Sequence, residues 1–364
     1  LPAGGDRTAL LNDLDTLSEV IYAELNGMVE FVSEVLPNDQ YFGLQWGLRN
    51  TGQSGGTPGE DIHAPEAWEI FTGSSNVKIG IIDWGVWDSH PDLSGKVSGD
   101  ATIYDPHGTH VAGIAAAKTN NSIGVAGTDW NGQIIAKSLP DCGGDLTCVA
   151  SKIVSAVDAG ADILNNSWKL TEGYSVTVRN AFAYAYKMNR VAVASMGNDY
   201  LEGNPINYPA AFGQGIIAVG ATRDIGQRSP WSSTGNHIDV VAPGGVNYYP
   251  NNDLHDIYST WVTGYRYLAG TSMAAPHVSG LASLLKGYNP DLDNDDIEQI
   301  IKLSTNDKGT PGWDPEYGTG RVNARNALDS LRPPNYLAQW SASGASYVAD
   351  VSGLYYMLFY WSLA

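Results

Sequence analysis

Lys78-Ile79-Gly80-Ile81-Ile82-Asp83 is the stretch whose reading decides the fold. Its apolar residues run without alternation, so the strand it predicts must be covered on both faces, as in a parallel sheet between helical layers. It ends on a carboxylate, and such sheets open their ligand crevices at the carboxyl ends of the strands. The theme repeats along the chain. Ile134 to Leu139, Ala161 to Ser167, Val191 to Gly197, Ile216 to Ala221 and Ile238 to Gly244 are further apolar runs. Between them, His107 to Lys118, Leu146 to Ala159 and Val176 to Asn189 read as helices, followed by Thr271 to Tyr288 and a helix capped by Asn294 or Asp295 that reaches Ser304. The expectation is a doubly wound α/β fold, a mostly parallel sheet with helices on both faces.

Both ends differ from this core. Thr8 to Leu17 has a helical pattern and Val20 to Val32 a strand-like one, with a linker at Leu36-Pro37. Arg332-Pro333-Pro334 breaks any helix, and the remainder, rich in Ser, Tyr and Trp, reads as a short β-rich extension. Three parts are expected: residues 1–35, 36–332 and 333–364.

Charge narrows the partners. With 39 Asp+Glu against 20 Lys+Arg the net charge is −19, which repels phosphate backbones, so no nucleic-acid role is expected. No run approaches the ~18 apolar residues of a membrane-spanning helix. The stretch from Gly353 to Ala364 is too short and too aromatic, so no membrane role is expected either. The chain starts at Leu1 without a basic-then-apolar pattern, and any targeting segment is expected to have been removed or to lie outside this numbering. Cys142 and Cys148 flank Gly143-Gly144 and suggest a disulfide closing a small loop, the alternative being two buried thiols.

Three residues stand where a sheet delivers side chains to a crevice: Asp83 ending its strand, His107 opening HGTH, and Ser272 in GTSMAAP. A serine hydroxyl becomes a useful nucleophile when a histidine takes its proton, and the imidazolium so formed needs a buried carboxylate to orient and stabilise it. The chain order Asp, His, Ser and the missing G-x-S-x-G elbow argue against an α/β-hydrolase, and no G-x-G-x-x-G or G-x-x-x-x-G-K-S/T supports a nucleotide site.

These motifs, in this order and context, resemble the subtilisin family of serine peptidases over roughly Pro37 to Leu328. The resemblance implies that Asp83 is the orienting carboxylate, His107 the general base and acid, and Ser272 the nucleophile. Asn198 in SMGND would be the oxyanion asparagine, His110 the second histidine of HGTH, and Tyr208-Pro209 a cis peptide. It further implies a secreted, monomeric endopeptidase acting on protein or peptide substrates. Substrate would lie extended along Ser167-Trp168-Lys169 and, opposite, near Gly143-Gly144. The family's Ser-Leu-Gly-Gly is here Ser167-Trp168-Lys169-Leu170, so Lys169 either points to solvent or biases recognition toward acidic or small side chains. Trp84 replaces the usual Ser or Thr after the aspartate, so local hydrogen bonding must be rebuilt, and Met273 is a packing residue whose oxidation should slow turnover.

The stretch Thr119-Asn120-Asn121-Ser122-Ile123-Gly124-Val125 matches the family's calcium loop. The ligands implied are the carbonyls of Thr119, Ile123 and Val125, the side chain of Asn121, and Asp92 and Asp39, a hard-oxygen set suited to structural Ca2+. Val20 to Asn26 resembles the closing strand of a subtilase propeptide, which makes residues 1–35 the end of an intramolecular chaperone and inhibitor and the propeptide itself a partner. Two rival functions share the scaffold: a catalytically silent peptide binder, suggested by the crowded Trp168-Lys169 edge, and an acyl transferase or peptide cyclase.

Overall fold

The structure, a computed structural model, describes residues 34–100, 105–171, 173–247 and 253–332, and the backbone of 20–25, 336–342 and 345–350. The helical pattern at 8–17, the strand-like residues 26–32 and the apolar stretch at 353–364 lie outside these. The chain divides into two compact units, 34–329 and a second made of 1–33 with 330–364.

In chain order the strands are β1 (Val20–Leu25), β2 (Lys78–Asp83), β3 (Val97–Gly99), β4 (Gln133–Ser138), β5 (Ile163–Asn166), β6 (Val191–Ser195), β7 (Ile216–Thr222), β8 (Val240–Pro243), β9 (Ile257–Trp261), β10 (Gly264–Leu268), β11 (Tyr336–Ala342) and β12 (Ala345–Asp350). The helices are α1 (Ala64–Trp68), α2 (His107–Ala116), α3 (Leu146–Asp158), α4 (Val176–Lys187), α5 (Thr271–Tyr288), α6 (Asn294–Leu303) and α7 (Ala324–Asp329). In the larger unit seven strands form one sheet in the order β3-β4-β2-β5-β6-β7-β8, and every neighbouring pair is parallel. This is the expected doubly wound arrangement. All residues of β6 and β7 are buried, as strands covered on both faces must be. Helices α2 and α5 pack on each other, and α3 packs on α4.

The chain runs outward from β2 to β3 and β4, returns beside β2 with β5, then continues the other way. That reversal opens a crevice at the carboxyl ends of β2 and β5. The α2–α5 contact is close because Gly280 has no side chain: a Cβ there would stand 2.8 Å from the Ala115 carbonyl oxygen and 2.5 Å from Thr128 Cβ. His107 and Ser272 each precede this contact by eight residues, about 12 Å along their own helices.

Sequence and structure differ in detail. The last strand begins at Val240 rather than Ile238, α2 ends at Ala116 rather than Lys118, and α4 ends at Lys187. The β9–β10 hairpin is an element the apolar-run pattern does not announce. In the second unit β1 pairs antiparallel with β11, and β11 with β12.

Candidate active site

Asp83 is the last residue of β2 and is fully buried, while His107 opens α2. The imidazole Nδ1 donates to Asp83 Oδ1 across 2.7 Å, with the His107 side chain 26% exposed. Gly108 permits this approach, because a Cβ there would lie 2.3 Å from the Gly85 carbonyl oxygen and about 3 Å from Asp83. Burial pushes the His107 imidazole down, but the charge and hydrogen bond of Asp83 outweigh it and hold the group above its ordinary value. The Trp84 N–H also donates to Asp83 Oδ1 (2.8 Å), and Asp83 Oδ2 is buried without a hydrogen-bond partner among the described residues. The Trp84 indole stands edge-on to His107, ring centres 5.9 Å apart.

Ser272 is the second residue of α5. Pro276, four residues on, has no N–H for the Ser272 carbonyl, which instead accepts from Ser167 Oγ at 2.9 Å. Ser167 Oγ in turn accepts from Asn165 Nδ2, whose Oδ1 accepts from Ser279 Oγ. This chain of bonds ties the end of β5 to the first turns of α5. Ser272 Oγ itself donates to the Ser167 carbonyl at 3.1 Å, and no hydrogen bond joins it to His107 Nε2. Asn198 follows β6, and its Oδ1 accepts from both Thr271 N–H and Thr271 Oγ, each at 2.9 Å. With the oxygen so engaged, the amide nitrogen is the free end, and it lies 3.5 Å from where a Cβ on Gly270 would be.

The remaining cleft residues sit as follows. Trp168 is buried in the core beside Phe182, and Lys169 Nζ pairs with Asp199 Oδ1 at 2.5 Å. Lys169 thus has a partner that neither expectation for it included. Gly143 and Gly144 are exposed, with nothing within 4 Å of a Cβ built on either, and the Cys142–Cys148 disulfide closes the loop that carries them. Tyr208-Pro209 is cis. His110 Nε2 bonds to the Arg266 carbonyl oxygen, and burial drives its pKa down to about 3, with the charges of His107 and His277 adding to the effect. Met273 is buried.

Residues 74–320 match the subtilase family. The chain is a subtilase. It is 40% identical over 306 residues to thermitase of Thermoactinomyces vulgaris, covering 80% of this chain and 99% of that one. It is 38% identical over 338 residues to the thermophilic serine proteinase of Bacillus sp. strain AK1, covering 89% and 76%. Among solved structures, a protease of Pseudoalteromonas arctica PAMC 21717 superposes with a TM-score of 0.70 at 32% identity, covering 81% of this chain and 99% of that one. The subtilase described here is accordingly a subtilisin-like serine endopeptidase.

Away from the crevice, the subtilase's 119–125 loop packs on Asp39 and Asp92. Asp39 Oδ2 accepts from Asn120 N–H, and Asp39 Oδ1 is buried without a hydrogen-bond partner among the described residues. Asp92 accepts from Asn121 Nδ2 and Val125 N–H, each at 2.9 Å, and Asn121 Oδ1 from Ile123 N–H. Burial, with the Asp92 charge adding to it, pushes the Asp39 carboxyl up. Among the described residues no three His, Cys, Asp or Glu side chains cluster as a metal site.

Four contributors escape the motif reading: Thr271, which orients Asn198; the Ser167 hydroxyl and Asn165, which hold the Ser272 carbonyl; and Asp199. Thr271 lies inside GTSMAAP, Asp199 inside SMGND and Ser167 in the edge segment Ser167-Trp168-Lys169, so the sequence places three of them in motifs without giving these roles.

Proposed function

We propose that this subtilase hydrolyses peptide bonds through Asp83, His107 and Ser272, with Asn198 as oxyanion donor. The observation that carries the reading is the 2.7 Å bond from His107 Nδ1 to the buried Asp83. With Nδ1 donating to a carboxylate, neutral imidazole presents Nε2 as the acceptor. Rotation of the Ser272 hydroxyl away from the Ser167 carbonyl aims its proton at that nitrogen. Oγ then bonds to the scissile carbonyl carbon as its proton passes to Nε2. The C–N bond breaks as His107 returns the proton to the leaving amine, and water reverses the sequence to free the acid. Asn198 Nδ2 and the Ser272 N–H donate to the developing oxyanion, where fixed dipoles stabilise the transition state more than the ground state.

The finer calls belong to the same reading. Residues 36–332 form the peptidase domain, 333–364 a C-terminal extension, and 1–35 the end of a propeptide that is also a partner. The enzyme is a secreted monomer made as a zymogen. Its disulfide suits an oxidising exterior, and two relatives carry the word extracellular in their names. Extended substrate lies along Ser167-Trp168-Lys169 and Gly143-Gly144. Calcium is held by Asp39, Asp92, Asn121 and the carbonyls of Thr119, Ile123 and Val125. The residues fit a hard cation: among the described residues Asp39 Oδ1 has no hydrogen-bond partner and these three carbonyls accept no hydrogen bond, whereas that of Gly124 accepts from Tyr41 N–H. A bound cation there would tie the segment around Asp39 to the body and lower the cost of its buried carboxylates.

The test is cleavage of a peptide library by wild type and Ser272→Ala, with and without chelator. Ser272-dependent products ending in free carboxylates support the reading. Undiminished cleavage by Ser272→Ala contradicts it, and amide products from added amines point to acyl transfer.

A further inference from the structure

The loop that follows β4 leaves the sheet beside the catalytic carboxylate, because Leu139, its first residue, donates its N–H to the Asp83 carbonyl at 2.8 Å. Cys142 is buried in the same apolar cluster as Val149, Ile153 and Trp168. A disulfide joins it to Cys148, six residues on in the first turn of α3. Between the two sulfurs' residues, Gly143 and Gly144 stand exposed with left-handed backbones, φ 55° and 89°. Turn bonds occupy three N–H groups of the loop: Cys142 donates to the Leu139 carbonyl, Gly143 to that of Pro140 and Asp145 to that of Cys142. Among the described residues, the Gly144 N–H and the carbonyls of Gly143 and Gly144 have no hydrogen-bond partner. Free backbone donors and acceptors on an exposed edge are what an extended peptide adds to. The ion pair of Asp141 with Lys152 at 3.0 Å braces the residue before Cys142 and leaves the glycines unconstrained.

We infer that the Cys142–Cys148 disulfide is a positioning element for substrate: it holds the free backbone groups of Gly143-Gly144 in place for an extended peptide, and so sets the affinity for long substrates without acting on bond cleavage. This rests on Ser272 as nucleophile and on the Gly143-Gly144 edge, both proposed above. Glycine loses more conformational freedom on ordering than any other residue, and without the bridge two in succession would have to be fixed each time a peptide adds. A covalent tie across them removes that cost before substrate arrives, and such preorganisation raises affinity with no new contact. Cys142 is 8% exposed and rooted in the core, so the tie transmits the rigidity of the packed cluster to the exposed glycines.

The test compares a peptide with several residues on the acyl side of the scissile bond with an acetylated single-residue nitrophenyl ester, which has no backbone to lay along the loop. Both are assayed with wild type and the double variant Cys142→Ser/Cys148→Ser. In the variant KM for the peptide should rise roughly fivefold with kcat nearly steady, and both constants for the ester should hold. The peptide-to-ester ratio of kcat/KM is taken within one protein, so general damage cancels. If the variant does not fold, wild type opened with a dithiol gives the same comparison. The dithiol is oxidised to its own disulfide as Cys142 and Cys148 become thiols, which alkylation and peptide mass confirm. A ratio within about twofold of wild type overturns the inference, whatever happens to stability. Ser272→Ala, run alongside, keeps the two ideas apart: peptide cleavage that survives in it contradicts the nucleophile assignment, whereas Ser272-dependent cleavage with an unmoved ratio contradicts only the role of the disulfide.

Discussion

Two carboxylates hold a nitrogen partner at nearly the same distance, Asp83 with the His107 imidazole and Asp199 with the Lys169 ammonium, at 2.7 and 2.5 Å. By distance they are equals, and by environment they are not. Asp83 has no exposed surface, and its charge and hydrogen bond raise the proton affinity of the imidazole it faces. Lys169 is nearly half exposed, so solvent screens that pair far more than the buried one. Burial and the chemistry of the nitrogen partner, rather than separation, distinguish the two pairs.

The comparison breaks hardest at the buried pair. Asp83→Asn should lower kcat by roughly 10⁴-fold with a much smaller change in KM, the scale carried by this carboxylate in subtilisins. Steady-state kinetics check it, and a loss under tenfold would make the two pairs alike. Asn198→Ala comes next: about 10²–10³ in kcat, the cost known for removing such a donor from subtilisin. A fall in kcat with KM nearly steady would separate charge stabilisation at the oxyanion from substrate holding at the Lys169 edge.

A pH profile sharpens the contrast. With His107 as the proposed base, hydrolysis needs its neutral form, and Asp83 raises its proton affinity above the ordinary value near 6.5. Activity should therefore fall as pH drops through that raised value. In Asp83→Asn, with the raising influence gone, the acid limb of the residual activity should move to lower pH. In Lys169→Ala it should stay where wild type has it. The smallest effect is on stability. Lys169→Ala should change the urea unfolding free energy by no more than about 1 kcal/mol, as a solvent-screened pair allows. A loss of several kcal/mol would show that Lys169 is bound into the fold like Asp83.

What the chain reveals before folding follows from the range of the interactions. Lys78 to Asp83, Val191 to Gly197 and Ile216 to Ala221 announce buried strands because continuous apolar runs are local signals. Asp83, His107, Ser272 and Asn198 are legible because each belongs to a motif at a strand end or helix start. The β9–β10 hairpin is not, since Val262-Thr263 turns it without the Asn-Gly or Asp-Gly that marks such turns. Nor are α1 and α7, too short for a helical period to stand out. The bonds from Ser167 to Ser272, 105 residues apart, and from Lys169 to Asp199, 30 apart, are contacts that no window of sequence contains.

The central claim is that three distant groups act as one acylating unit, and active-site phosphonylation addresses it most directly. The labelling rate with a fluorophosphonate, the adduct located by peptide mass spectrometry, should give a single modified residue in wild type, Ser272, and should drop by orders of magnitude in His107→Ala. Modification at another residue, or an unchanged rate at Ser272 without the imidazole, would contradict the account.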